Sequence, residues 1–154
     1  MSDVRVHMSF DLAHDRDLHD RLLAQSRNRA AFAIASRSEA GEMNDEWTAR
    51  VRGRIAGCDE VVVICGEHTD QSPHVSAELR IAQEEKKPYV LLWGRRESMC
   101  KKPRSARVDD GMYKWTAEVL ERQLANVLRK SREKDVPERL KRQGAGVRVS
   151  SSAS

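Results

Sequence analysis

Five consecutive apolar residues, Val61-Val62-Val63-Ile64-Cys65, stand near the middle of the chain. Because this run shows no alternation of apolar and polar residues, we expect a β-strand that is covered on both faces, at the centre of a sheet. A polar turn follows at residues 66–70, and Ser72-Pro73-His74-Val75-Ser76-Ala77-Glu78 then begins a helix that carries one carboxylate near its start. A buried strand, a polar loop and a helix in this order are typical of the ligand-binding edge of open α/β sheets.

The same strand and helix patterns repeat on both sides of this unit. Alternating apolar and polar residues predict a strand at Val4–Phe10, and apolar runs predict two further strands, at Phe32–Ala35 and Pro88–Trp93. Helical spacing of apolar residues predicts four helices, the first through Leu18, Leu22 and Leu23 and ending near Arg27-Asn28. The second contains Trp47, Val51 and Ile55, is capped by Asn44 or Asp45 and ends at Gly57. The third runs from about Ser72 to Lys86 with Val75, Leu79 and Ala82 inward, and the fourth passes through Trp115, Val119, Leu120, Leu124, Val127 and Leu128. The basic stretch Arg95–Arg107 has no such spacing, and we expect a mobile loop there.

Regular alternation of strands and helices predicts an α/β, flavodoxin-like three-layer fold with a central parallel sheet flanked by helices. In such a sheet the loops that follow the first three strands meet at one edge. The polar and aromatic residues that this topology gathers there are Ser9, Phe10, Asp11, Ser36, Arg37, Ser72 and Glu78. We therefore expect the functional site at that edge.

Length and charge bound what the chain does. With 154 residues it suits one domain, which we place at residues 1–130, followed by a charged, partly disordered tail at residues 131–154. Residues 129–148 hold eight basic and three acidic residues, a net charge of +5, which leaves −1 for the rest of a chain whose net charge is +4. The basicity belongs to the tail, so nucleic-acid binding by the folded domain is not expected.

Neither a membrane protein nor a disulfide-stabilised one is predicted. No apolar stretch approaches the roughly 18 residues of a membrane span, and the N-terminus lacks the apolar segment of a signal peptide, so we expect a cytoplasmic protein. Cys58, Cys65 and Cys100 lack the C-x-x-C spacing of a zinc site and cannot all pair, so we expect free thiols.

Several classes of protein that are built on an α/β sheet are excluded, because the residues that their sites require are missing. A phospho-receiver needs an aspartate at the end of the third strand, where this chain has Cys65-Gly66-Glu67. Glycine-rich phosphate-binding loops are missing after the first strand, where the residues are Asp11-Leu12-Ala13-His14. The histidines show no metal-ligand spacing, and no hydrolase triad order is present, so neither a metal site nor a triad is predicted.

Glu78 remains as a lone carboxylate beside the strand-end loops. One carboxylate suits glycosidic cleavage when the leaving group departs without protonation, because it then has only to stabilise an oxocarbenium-like centre. Release of nicotinamide from NAD is such a reaction. On spacing alone, an ordinary exposed helix residue is the simpler interpretation of Glu78.

Four segments together resemble the TIR-like domains of bacteria, including the TIR proteins of Thoeris antiphage systems. They are Val6–Asp11, Asp45–Ile55, Val63–Thr69 and Ser72–Glu78, and the resemblance spans roughly residues 4–125. In TIR domains the last segment reads Ser-x-Trp-Cys-x-x-Glu. Ser72 and Glu78 match this pattern, whereas His74 replaces the tryptophan and Val75 the cysteine.

The resemblance implies that Glu78 is catalytic in NAD cleavage, which would release nicotinamide and form an ADP-ribose or cyclic ADP-ribose-type signal for a separate effector. The substrate-binding residues implied or suggested by position are Ser9, Phe10, Asp11, Ser36, Ser72 and His74. NAD would be the substrate, with no cofactor, and activation would involve self-association through the loop Ser36–Asn44. The alternative is a non-catalytic TIR-like module for interaction and self-assembly. Core packing is an equal alternative for Phe10 and the favoured one for Trp47.

Overall fold

The computed structural model describes residues 4–29 and 32–134 and contains a five-stranded parallel sheet with the strand order β2-β1-β3-β4-β5. The strands are Val4–Ser9 (β1), Phe32–Arg37 (β2), Glu60–Cys65 (β3), Tyr89–Trp93 (β4) and Met112–Lys114 (β5). The helices are Arg16–Arg29 (α1), Asp45–Ala56 (α2), Pro73–Glu84 (α3) and Ala117–Lys134 (α4), with a single 3-10 turn at Thr69–Gln71. The predicted α/β architecture is confirmed.

The central strand is β3, as its unbroken apolar run predicts. All six of its residues are buried, and it pairs with β1 on one side and β4 on the other. An interior strand has layers of side chains on both faces, which is why Val61 to Cys65 show no polar alternation. Cys65 is a free, buried thiol, as predicted.

Helix α2 begins and ends where the sequence indicates. The Asn44 side chain accepts a hydrogen bond from the Trp47 backbone N–H at 2.9 Å, and Gly57 caps the C-terminus. Trp47, Val51 and Ile55 are all buried in one core cluster with residues of β3 and α3. Burial of side chains of this size contributes about 1.5–3 kcal/mol each, so this face fixes α2 on the sheet.

Helix α3 places a carboxylate on its buried face. Ser72 caps its N-terminus, Pro73 occupies the first turn, and the predicted inward residues Val75, Leu79 and Ala82 are buried. Glu78 lies between them on the same face, because positions i, i+3, i+4 and i+7 share one side of a helix. It has no exposed surface, so the interpretation of Glu78 as an ordinary exposed residue is wrong.

The segment after β4 differs from its prediction. Residues 95–107 contain no helix or strand, but they are packed rather than loose: Cys100 is only 3% exposed and Ala106 contacts the core. The Lys102 ammonium donates to the carbonyl of Asp110 at 2.8 Å. These contacts explain why a stretch without periodicity is nevertheless held in place.

The C-terminal part of the sheet also departs from the sequence prediction. Strand β5 was not anticipated, since three residues are too few to show an alternating pattern. Trp115 precedes α4 instead of belonging to it, and it is buried.

The chain separates into two compact units, residues 1–124 and 125–154. All five strands and helices α1–α3 belong to the first unit. The predicted tail at residues 131–154 lies outside the described residues from residue 135 onward. Within the described ranges, no helix has both the length and the apolar character needed to cross a bilayer.

Candidate active site

The Glu78 carboxylate is held through one of its two oxygens. Oε1 accepts a hydrogen bond from the Ser38 hydroxyl at 2.9 Å and lies 2.9 Å from Nε2 of His7. Oε2 is equally buried and has no hydrogen-bond partner among the described residues. The carboxylate is therefore oriented by two contacts on one side and unsatisfied on the other.

His7 connects Glu78 to the neighbouring strand. It lies on β1 without exposed surface, and its Nδ1 is 2.7 Å from the Ser36 hydroxyl on β2. An ionised carboxylate only accepts, so Nε2 of His7 donates to Glu78, and in the neutral imidazole this leaves Nδ1 to accept from Ser36. Ser36, His7 and Glu78 thus form one series of hydrogen bonds from β2 through β1 to α3, buried at His7 and Glu78 and partly buried at Ser36.

Ser38 fixes the loop after β2 to the end of β1. Its hydroxyl accepts from the Phe10 backbone N–H at 3.0 Å while donating to Glu78. Its own backbone N–H donates to the carbonyl of Met8 at 2.9 Å. The position of this hydroxyl is consequently set by the backbone of a strand and not only by Glu78.

Sequence reasoning missed His7 and Ser38. The alternation of β1 suggests that His7 faces solvent, but β1 is an interior strand, so both of its faces are covered. Strand pairing then places His7 opposite Ser36, just after a register shift between Val6 and His7. His7 could have been found as a polar residue in a strand that the predicted topology places inside the sheet. Nothing in the sequence indicated Ser38.

Ser9 and Phe10 are buried beside this cluster. The Ser9 hydroxyl has no partner in the described part of the chain. Phe10 is 2% exposed, and its ring centroid lies 5.0 Å from that of His19. In this conformation the Phe10 side chain is a core residue, the alternative that sequence analysis left open.

Three of the predicted substrate-binding residues line a separate open cavity of about 350 Å³ at the same edge of the sheet. They are Asp11, Ser72 and His74, and residues 12–14, 40–41, 68, 71 and 73 complete its wall. Cavities of a few hundred cubic ångströms are typical of small-molecule sites. Glu78, Ser36, Ser9 and Phe10 do not line it.

One wall of this cavity is already organised by polar contacts. Asp11 accepts hydrogen bonds from the Ala13 backbone N–H at 2.9 Å and from Nδ1 of His14 at 2.8 Å. The ring centroids of His14 and His68 lie 4.1 Å apart, with the ring planes tilted by 31°. No group of three or more possible ligand side chains is arranged for a metal ion among the residues that the structure describes.

His74 closes the loop after β2 over the helix. Its Nε2 lies 2.7 Å from the Gly41 carbonyl, which only accepts, so Nε2 donates. The His74 ring meets the Trp47 indole edge to face at 5.4 Å. Gly41 has φ +121°, a conformation that favours glycine, so the loop depends on this residue to reach His74.

Arg95 joins the end of β4 to the start of α1. Its guanidinium bonds to Asp15 at 3.0 Å and to both oxygens of Asp17. Burial raises the pKa of Asp15 despite this contact, while the hydrogen bond from Arg95 lowers the pKa of the exposed Asp17. The ion pairs hold together two segments that border the site edge.

Comparison with solved structures supports the fold. The chain resembles the crystal structure of a prokaryotic SEFIR domain, with a TM-score of 0.51 and 14% sequence identity over 79% of this chain and 92% of that chain. No curated protein matches the sequence. Residues 7–97 match the family model described as Thoeris protein ThsB, TIR-like domain. This match covers more than half of the sequence and includes every residue of the Glu78 cluster, and the chain therefore belongs to the ThsB TIR-like domain family.

Proposed function

We propose that this TIR-like signalling domain cleaves NAD, with Glu78 as the catalytic carboxylate. The observation that carries the proposal is the asymmetry of Glu78: Oε1 is fixed by His7 and Ser38, and Oε2 is buried without a partner in the described part of the chain. A buried polar atom without a partner is costly in a stable fold, and such atoms occur at functional sites. Oε2 is the oxygen available to a substrate.

The chemistry requires little more than this oxygen. The bond between C1′ of the ribose and the nicotinamide nitrogen breaks, and its electron pair leaves with nicotinamide, which becomes neutral and needs no proton. Positive charge develops at C1′, where the oriented carboxylate stabilises it. Attack by water then gives ADP-ribose and releases a proton, whereas attack by the substrate's own adenine gives a cyclic product.

The described conformation has to open for this reaction, since Glu78 has no exposed surface. Ser38, at the start of the loop 38–44, contacts Glu78, and the loop is also held by Glu39 on α2 and by the bond of His74 to Gly41. Displacement of this loop would join Glu78 to the neighbouring cavity lined by Asp11, Ser72 and His74. We propose that self-association moves the loop and that the product acts on a separate effector.

Incubation of concentrated protein with NAD, with and without a crowding agent, tests the proposal when products are separated by chromatography. We expect nicotinamide and an ADP-ribose species from the wild type and none from Glu78→Gln, which keeps the shape of the side chain. Glu67→Gln is the matched control, because Glu67 is exposed and outside the cluster. Equal turnover by Glu78→Gln and wild type, with both variants folded by circular dichroism, would sink the assignment.

A non-catalytic module for interaction and self-assembly is the second candidate. The complete burial of Glu78 favours it, as does the replacement of the TIR tryptophan and cysteine by His74 and Val75. Such a module predicts no NAD-dependent shift in melting temperature at any protein concentration, whereas the enzyme predicts one that Glu78→Gln retains.

A further inference from the structure

A second cavity lies where β4 and β5 end, at the same carboxyl edge of the sheet but at its other strands. It measures about 340 Å³, and its wall includes Arg21, Trp93, Arg96, Lys114 and Trp115. None of its lining residues belongs to the cavity beside Glu78. The carboxyl ends of parallel strands are the usual ligand-binding edge of an open sheet, so the location itself is suitable for a ligand.

The wall of this cavity carries three cationic side chains. Arg21, Arg96 and Lys114 form no ion pair among the described residues, and no acidic residue lines the cavity. Other arginines do find carboxylates, because Arg50, Arg52, Arg54 and Arg95 are all bonded to them. Three unpaired cations around one concave surface attract an anion, and arginine fits phosphate oxygens through paired hydrogen bonds.

Aromatic rings stand beside these cations in fixed orientations. The Trp93 indole N–H donates to the carbonyl of Arg95 at 2.7 Å, and that of Trp115 donates to the Gln25 side chain at 2.8 Å. The Arg21 guanidinium carbon lies 4.2 Å from the centre of the Trp115 ring. Trp93 is only partly buried, so some of its indole surface remains available. Rings held in this way lose little freedom on binding a planar group.

We propose that this cavity binds a phosphate-bearing nucleotide, with the base against Trp93 and the phosphates near Arg96 and Lys114. Stacking of a base on an aromatic side chain contributes about 1–3 kcal/mol, and it complements charge contacts to phosphate. The volume is near the lower end of the roughly 300–1,000 Å³ of small-molecule sites, which suits a mononucleotide better than a dinucleotide. The proposal is independent of NAD cleavage at Glu78.

Titration calorimetry of the full chain with ADP, adenosine and inorganic pyrophosphate at constant salt tests the site. We expect ADP to bind at least tenfold more tightly than adenosine or pyrophosphate, because only ADP provides both base and phosphates. The double variant Arg96→Ala/Lys114→Ala should weaken ADP binding at least tenfold. The matched control is Arg80→Ala/Arg104→Ala, which removes two cations that line a different cavity and should change the affinity less than twofold.

Tryptophan fluorescence localises the ligand. ADP should change the emission of the wild type, and Trp93→Phe should remove most of this change, while the buried core residue Trp47 continues to emit. The proposal is overturned by an absence of ADP binding at millimolar concentration, by equal affinity for pyrophosphate and ADP, or by equal weakening in the two double variants. Circular dichroism of each variant confirms that lost binding is not lost folding.

Discussion

His7 contacts the Glu78 carboxylate directly and orients it. Nε2 of His7 donates to Oε1, and the Ser36 hydroxyl that the pairing of β1 with β2 places at Nδ1 favours this tautomer of the neutral imidazole. His7 does not line the open cavity and contacts Glu78 instead. We therefore regard it as a positioning residue.

Replacing His7 tests this role. His7→Phe removes the donor and should lower kcat for nicotinamide release by about 10- to 100-fold, the equivalent of about 1–3 kcal/mol for a buried acceptor left unpaired. KM should change little, because His7 does not line the cavity proposed for the substrate. Steady-state kinetics on the activated protein measures both constants.

The conservative variant His7→Gln is the control for lost packing. A glutamine amide can still donate to Glu78, so this variant should keep several times more activity than His7→Phe. If both variants lose activity equally while their melting temperatures match that of the wild type, orientation by a donor is the wrong explanation.

At the residue scale, the sequence predicted the carboxylate but not its partners. Ser72 and Glu78 stand in a contiguous segment with a recognisable spacing, so one short stretch suffices to find them. His7 and Ser38 reach Glu78 across 71 and 40 residues, and only strand order and register bring them together. Local patterns do not contain that information.

Among the elements, the loop after β2 and helix α3 form one closing unit. The loop is held by Ser38 at one end, by contacts of Glu39 with Trp47, Arg50 and Arg54 of α2, and by the bond between His74 and the Gly41 carbonyl near its middle. The hydrogen bond from His74 contributes about 0.5–1.5 kcal/mol net, which is small enough for the segment around Gly41 to open without unfolding of the sheet.

His74→Ala should therefore loosen residues 38–44 selectively. Hydrogen–deuterium exchange of the amides in this loop is expected to accelerate about 3- to 10-fold, while the exchange of β3 stays unchanged. His68→Ala is a suitable control, because His68 lines the same cavity but does not bond to the loop. Unchanged exchange in the loop of His74→Ala would show that His74 does not retain it.

Elements were predicted well where the pattern was long and poorly where it was short. The stripe of Trp47, Val51 and Ile55 in α2 identified both its buried face and its caps. Strand β5 is too short to show a periodic pattern, and its pairing with β4 stabilises an extended conformation that residue propensity alone does not predict. In α3 the burial of Glu78 follows from its neighbours Val75 and Leu79, although a carboxylate alone suggests an exposed position.

At the scale of the whole molecule, the burial of one acidic side chain in the sheet, Glu60, opposes its ionisation. Glu60 begins β3 with both carboxylate oxygens buried and unpartnered in the described residues. Burial, and to a lesser degree the charge of Asp59, raises the pKa of Glu60 from 4.5 to about 8. The folded protein therefore holds this proton more tightly than the unfolded chain.

The contribution of Glu60 to the stability of the fold therefore falls as pH rises. Between about pH 4.5 and 8 the folded state binds more protons at Glu60 than the unfolded state, so the contribution of Glu60 to the free energy of unfolding decreases with pH across that window. Glu60→Gln cannot ionise and should become progressively more stable than wild type, by about 1–3 kcal/mol near pH 8.

Urea unfolding of both proteins at pH 5, 6, 7 and 8 measures the difference. Glu67→Gln, at an exposed position, should follow the wild type throughout. A gap between Glu60→Gln and wild type that stays constant with pH would mean that Glu60 does not titrate in this range.

The long separation between His7 and Glu78 also has a kinetic consequence. Contacts between distant parts of a chain form late in folding, since the entropy of closing the intervening loop opposes them until the core between has assembled. A ribosome-bound chain from which only β1 and β2 have emerged contains His7, Ser36 and Ser38 but does not yet expose Glu78. The candidate site therefore comes into existence only after β3 and α3 have emerged.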